Sequence, residues 1–146
     1  PKQMLRIAGE TRLDVIQVHF FQSLEKRTRV FPMIGKKYKA WKALCLGRDP
    51  EPRDDADHVD AYLLDSYSQQ SPGGTGTTND WKAAKAFVER STKPVLLAGG
   101  LNPGNVADAV RQVRPWGVDV SSGVEERTGK KDLSLVKAFI EKCRSI

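Results

Sequence analysis

Two periodicities alternate along the chain. Leu13-Asp-Val-Ile-Gln-Val-His-Phe20 alternates apolar with polar and is rich in β-branched residues, which predicts a strand with His19 near its C-terminal end. Tyr38-Lys-Ala-Trp-Lys-Ala-Leu-Cys-Leu46 fits a second strand, although its spacing also allows a helix. Val59 to Asp65, Thr92 to Ala98 and Gly117 to Ser121 predict three more strands. Between them the period lengthens to that of a helix. Asp80 to Arg90 places Trp81, Ala84, Phe87 and Val88 on one face, with Asp80 as the N-cap. Asn102 to Arg114 and Leu133 to Cys143 predict two further helices, and Lys2 to Glu10 reads as the end of another. Pro32 and Gly35 break a charged stretch, while Gly47 to Asp57 and the glycine-rich Ser66 to Asn79 predict loops.

Strand and helix in alternation argue for an α/β fold of parallel βαβ units with right-handed crossovers. About five such units could form an open doubly wound sheet or part of an eight-stranded barrel. Both architectures carry their binding groups at the C-terminal strand ends. His19, Asp65, Gly99, Gly100, Asp119, Ser121 and Ser122 all fall there.

Composition narrows the function classes. The 146 residues, 39% hydrophobic, fit a single domain with an ordinary core, in which residues 1–58 form a divergent N-terminal part and 59–146 carry the motifs. The apolar runs are strand-length, far short of the roughly 20 residues that span a bilayer, so no membrane partner is expected. Two cysteines, Cys45 and Cys143, lack metal-ligand spacing and disulfide density, and no signal-like segment opens the chain. The expectation is a cytoplasmic protein with no metal.

The net charge of +6 concentrates between residues 25 and 48, where Lys26, Arg27, Arg29, Lys36, Lys37, Lys39, Lys42 and Arg48 are interleaved with Phe31, Tyr38 and Trp41. Such interleaving can serve nucleic acid. No helix-turn-helix, RNP-like or zinc-finger pattern accompanies it, so a solvated basic segment beside core aromatics is the favoured reading. A basic rim that attracts a small anion is a third reading.

The chemistry lies at the strand ends. Gly99 and Gly100 leave no side chain between a ligand and the backbone amides, with Asn102 placed to cap and Pro103 to open the following helix. Ser121-Ser-Gly123 offers hydroxyls and more amides after the next strand. Two adjacent strand ends presenting amides to one spot make a phosphate site. Each loop could also be a plain turn or polar cap. Asp65 ends an apolar strand before a glycine-rich loop; partial desolvation there would raise its pKa and suit a general acid, though it could simply brace the loop. Asp119 could accept hydrogen bonds from sugar hydroxyls or be structural. His19 could contact ligand or be solvated.

Four ordered motifs resemble phosphoribosylanthranilate isomerase of tryptophan biosynthesis: Asp60-Ala-Tyr-Leu-Leu-Asp65; Pro72-Gly-Gly-Thr-Gly76 with Asp80-Trp81; Val95-Leu-Leu-Ala-Gly-Gly-Leu-Asn-Pro103; and Gly117-Val-Asp-Val-Ser-Ser-Gly-Val-Glu125 with Gly129 and Lys131-Asp132. The likeness is close over residues 59–146 and extends loosely to the start through Ile16-Gln-Val-His19 and Trp41-Lys-Ala-Leu44. It implies a (β/α)8 TIM-type barrel, here incomplete, with the chain supplying strands 4 to 8. It also implies an aldose–ketose isomerase without cofactors, acting on a small phosphorylated substrate. The family converts N-(5-phosphoribosyl)anthranilate to 1-(2-carboxyphenylamino)-1-deoxyribulose 5-phosphate by an Amadori rearrangement. Asp65 matches the general acid, the Gly99-Gly100 and Ser121-Ser122 loops match the phosphate site, and Asp119 matches the residue on the sugar hydroxyls. Neither Cys45 nor Cys143 occupies the family's base position, and Phe20-Phe-Gln22 replaces the usual glycine and acidic residue after the strand bearing His19. The resemblance therefore leaves two readings: an isomerase, or a phosphate- or sugar-phosphate-binding half-barrel without catalysis. Five strands also leave open sheet edges, which implies a homo-oligomer or a separate segment completing the barrel.

Overall fold

The computed structural model describes residues 2–19, 30–46, 58–66 and 81–146, the side chains of Leu46 and Ser66 excepted. The expected loop at 47–57, the expected loop at 66–79 apart from Ser66, which ends a strand instead, the Asp80 cap, residues 20–22 and part of the basic stretch lie outside the described residues.

Helix α1 (Lys2–Glu10) leads into strand β1 (Val15–His19). A helical segment over residues 30–34, which contains Pro32 and ends before Gly35, precedes β2 (Lys39–Leu46). Then follow β3 (Ala61–Ser66), α2 (Trp81–Arg90), β4 (Val95–Leu97), α3 (Val106–Val113) and β5 (Gly117–Val118). The chain closes with a short hairpin, β6 (Glu125–Arg127) and β7 (Lys130–Lys131), and helix α4 (Leu133–Arg144).

The five strands β1 to β5 form one parallel sheet whose order follows the chain, β1-β2-β3-β4-β5. Parallel pairing aligns their C-terminal ends on one rim. At the opposite end, Asp60 fastens β3 to β2: its carboxylate accepts from Ala40 N at 2.7 Å and its own N–H donates to Ala40 O at 2.8 Å.

The period of two sorts the strand side chains onto two faces. Ile16, Val18, Ala40, Leu44, Tyr62, Leu64, Val95 and Leu97 join the main core with Phe31, Ile34, Ala84, Phe87, Val106, Ala109, Val113 and Phe139 from the helical segments. Tyr62 and Phe87 meet edge to face, with ring centroids 5.5 Å apart. The other face carries a second cluster, Ala61, Leu63, Leu96 and Ala98, with Trp41 and Ala43 half-buried against it.

Two expectations at the rim are corrected. The helix predicted from Asn102 begins at Val106, with Asn105 as N-cap. The cause is turn chemistry in Asn102-Pro-Gly-Asn105. Asn102 Oδ1 accepts from Gly104 N at 2.8 Å, and Asn102 O accepts from the N–H groups of Asn105 and Val106 at 3.2 and 3.1 Å. Pro103 thus occupies the turn, where its fixed φ suits as well as it would at a helix start. The strand predicted through Ser121 ends at Val118, which puts Asp119, Ser121 and Ser122 beyond it. Asp119 still donates its N–H to Leu97 O at 2.9 Å, so it remains in line with the sheet.

Candidate functional site

The rim is built from strand ends and the loops that leave them. His19 is the last residue of β1, and as placed the Gln17 amide donates to its Nε2 at 2.7 Å. Asp65 stands near the end of β3, half-buried and in register with Cys45 of β2, and alternation places both on the face of the smaller cluster. Asp119 follows β5, exposed. Two strand spacings separate Asp65 from Asp119, roughly 10 Å. His19 lies at the opposite edge of the sheet from β5, so it is the rim candidate farthest along the sheet from the glycine and serine loops.

The loops after β4 and β5 form one unit. Gly99 and Gly100 take φ of 84° and 66°, a left-handed conformation that side-chain-bearing residues adopt at a cost. Asn105 reaches back beneath them: its Oδ1 accepts from Asn102 N at 2.8 Å and its Nδ2 donates to Gly100 O at 2.9 Å. The second loop passes through a short 3-10 turn, Ser122–Val124, and packs directly on the first. Gly123 lies against the Leu101 carbonyl, so a Cβ there would collide with it.

Among the described residues, no acceptor takes the N–H of Gly99, Gly100, Leu101, Ser121 or Ser122. Backbone donors in a folded chain are nearly always paired, and Leu101 is only 2% exposed. Five donors on two touching loops form a concentration of positive dipole suited to an anion.

Beyond the second loop, Lys131 Nζ donates to Ser121 O at 2.9 Å and to Glu125 Oε1 at 2.7 Å, with Ser121 Oγ at 3.5 Å. That ion pair, then the Gly129 N–H, holds the Glu125 carboxyl below the usual carboxylate range. Asp132 caps α4, accepting from Ser134 N at 2.7 Å and Leu135 N at 3.1 Å. Gly123 is among the strand-end loop positions expected to offer amides, whereas the bonds of Asn105 and the Lys131–Glu125 pair escape a reading based on strand ends. The doubled Asn in Asn102-Pro-Gly-Asn105 and the charges on either side of Gly129 were the available signals.

In the basic stretch, Phe31 and Tyr38 are buried and Trp41 is half-buried on the sheet. The described aromatics there therefore belong to the core and the sheet.

The model of the N-(5'-phosphoribosyl)anthranilate (PRA) isomerase family matches residues 2–142. The chain belongs to that family. An N-(5'-phosphoribosyl)anthranilate isomerase of Geotalea uraniireducens is 41% identical over 139 residues, covering 95% of this chain and 65% of the relative. The chain thus spans about two thirds of that relative's length. The crystal structure of the phosphoribosyl anthranilate isomerase of Thermotoga maritima is similar with a TM-score of 0.84 at 34% identity, over 100% of this chain and 69% of that one. Another phosphoribosyl anthranilate isomerase, in complex with reduced 1-(o-carboxyphenylamino)-1-deoxyribulose 5-phosphate, is similar at 0.78 with 31% identity, over 100% of this chain and 67% of that one. The parallel α/β sheet is thereby placed among TIM-barrel-like structures of the family. Among the described residues no helix is long and apolar enough to cross a membrane.

Proposed function

We propose that the protein is an isomerase that performs the Amadori rearrangement of N-(5-phosphoribosyl)anthranilate, with this chain forming one domain that supplies strands 4 to 8 of the barrel, the general acid and the phosphate site. The observation that carries the reading is the set of five amides on the Gly99–Leu101 and Ser121–Ser122 loops that have no acceptor among the described residues, with Asp65 two strands from Asp119 on the same rim. The loops would take the substrate's phosphate through charge-assisted N–H donors and the two serine hydroxyls. Asp119, at the mouth of β5, would accept from the ribose hydroxyls. Asp65 would donate a proton to the furanose ring oxygen as the C1′–O bond breaks. The electron pair on the anilino nitrogen then forms the C1′=N bond of a Schiff base. A base removes the C2′ proton, the enolamine forms, and tautomerisation gives the ketone. The base is assigned to no residue of this chain. His19 would contact ligand from the far side of the rim, and the reaction belongs in the cytoplasm.

Turnover, followed through the loss of the substrate's fluorescence, tests the reading together with Asp65→Asn. The variant should lose at least about a hundredfold in kcat, the usual scale for a positioned acid, while keeping its affinity for the reduced product analogue. Equal turnover by Asp65→Asn would remove the acid assignment. Affinity for the analogue with no turnover by the unaltered chain would favour the non-catalytic sugar-phosphate binder.

A further inference from the structure

Two of the five unengaged amides have something in common that the phosphate reading alone does not require. A trans peptide points its C=O and its N–H in opposite directions, so whatever holds the carbonyl of one residue aims the N–H of the next. The Gly100 carbonyl is held by Asn105 Nδ2 at 2.9 Å, and the next N–H, that of Leu101, has no acceptor among the described residues. The Ser121 carbonyl is held by Lys131 Nζ at 2.9 Å, with Val124 N more distant at 3.5 Å, and the next N–H, that of Ser122, has no acceptor among the described residues. Each touching loop has one peptide fixed from behind by a side chain, Asn105 from the end of the first loop and Lys131 from the hairpin beyond the second.

Both side chains forgo more usual roles to do this. Asn105 is the N-cap of α3, where an asparagine side chain ordinarily accepts from the first helical N–H groups. Its side chain makes no such bond and turns back to Gly100 and Asn102 instead. Lys131 sits on an exposed hairpin, yet its ammonium is fixed by Glu125 at 2.7 Å, which is itself tethered by Gly129 N at 3.2 Å. The Glu125 carboxylate offsets the lysine charge, so the ammonium suits the setting of a peptide better than the direct neutralisation of a ligand.

We propose that Asn105 and Lys131 are positioning residues of the anion site: each anchors one carbonyl so that the amides of Leu101 and Ser122 are preset to donate to the same phosphate. The proposal rests on the phosphate reading above and adds the two side chains that organise it. Preset donors need no reordering when the anion arrives, which is the source of their contribution to affinity.

Calorimetric titration with reduced 1-(o-carboxyphenylamino)-1-deoxyribulose 5-phosphate, and with the same compound lacking its phosphate, tests it. Lys131→Met and Asn105→Ala should each weaken the phosphorylated ligand roughly tenfold, the scale of one charge-assisted hydrogen bond, and leave the dephosphorylated ligand unchanged. Lys131→Arg should restore most of the loss, and Lys130→Met, which alters the neighbouring exposed pair with Glu126, should change nothing. Glu125→Gln keeps the lysine but loosens its tether, should cost a smaller factor, and serves if Lys131→Met does not fold. Equal weakening of both ligands would reduce the two residues to a general structural role and overturn the proposal. Unchanged affinity for the phosphorylated ligand in Lys131→Met and Asn105→Ala would overturn it while leaving the phosphate site standing. If the unaltered chain does not distinguish the two ligands, the phosphate reading falls and the proposal falls with it.

Discussion

The two faces of the sheet do different work. On one, Leu64 and its neighbours meet the helices in a large core that includes Tyr62, Phe87, Leu97 and Val106. On the other, Leu63 belongs to a cluster of four buried residues edged by Trp41 and Ala43, and the same face carries Asp65 at the rim. Trp116, 67% exposed, meets Trp41 edge-on with centroids 6.5 Å apart. The difference teaches a division of labour: one face is covered by helices in the large core, while the other keeps a small cluster of leucines and alanines beside Trp41 and displays Asp65 at the rim.

Adjacent residues of β3 offer the most direct way to break this comparison. Leu64→Ala should cost about 4 kcal/mol in urea unfolding, near the upper part of the range for buried leucine, because the surrounding core is large and cannot collapse onto the cavity. Leu63→Ala should cost about 2 kcal/mol, since its smaller cluster relaxes more easily. Equal losses would mean that both faces are packed alike.

The rim should be fragile to a smaller change. In Gly123→Ala the added methyl group must displace the Leu101 carbonyl, at a cost of about 1–3 kcal/mol from overpacking. Because the contact joins the two loops, affinity for the phosphorylated analogue should fall as well, measured in the same titration. Stability lost without affinity would show that the loops act separately.

A site away from the rim should respond in the opposite direction. Arg114 closes α3 with φ of 54°, and its N–H donates to Val110 O. Arg114→Gly should relieve the left-handed strain and stabilise the fold by about 0.5–1 kcal/mol, read as a raised thermal midpoint with ligand affinity unchanged.

The smallest effect concerns pH. Glu125 has a folded-state pKa below its unfolded value, so its ionised form contributes stability that is fully present above the unfolded pKa, about 4.3, and lost as pH falls through the lower folded value. The unaltered protein should therefore lose stability more steeply than Glu125→Gln on acidification below that point, as followed by thermal unfolding. Parallel profiles would separate the carboxylate from hairpin stability.

Much of the framework is legible in residue spacing, because burial on one side leaves a period. Trp81, Ala84, Phe87 and Val88 give α2, and the alternation of β1 gives its two faces. The start of α3 is misleading because Asn-Pro fits both a helix start and a turn, and only the side-chain bonds of Asn102 decide between them. The β6–β7 hairpin leaves no apolar period at all. It is closed by backbone pairing and by charges, Lys131 with Glu125 and Lys130 with Glu126. The candidate phosphate loops are visible as glycines and serines at strand ends, but their bracing is not, since Asn105 and Lys131 act through carbonyls that no motif displays.

The sheet's strand order, identical to the order of synthesis, has a consequence for how the molecule is made. Each parallel pair is joined by a crossover, so a newly emerged strand always docks beside one that has already left the ribosome, and none must wait for a partner encoded far downstream. Growth can proceed from one edge, with β2 to β5 added in turn. Of the five strands, β5 is the shortest, only Gly117–Val118, so that edge offers the least backbone for a further strand to pair with.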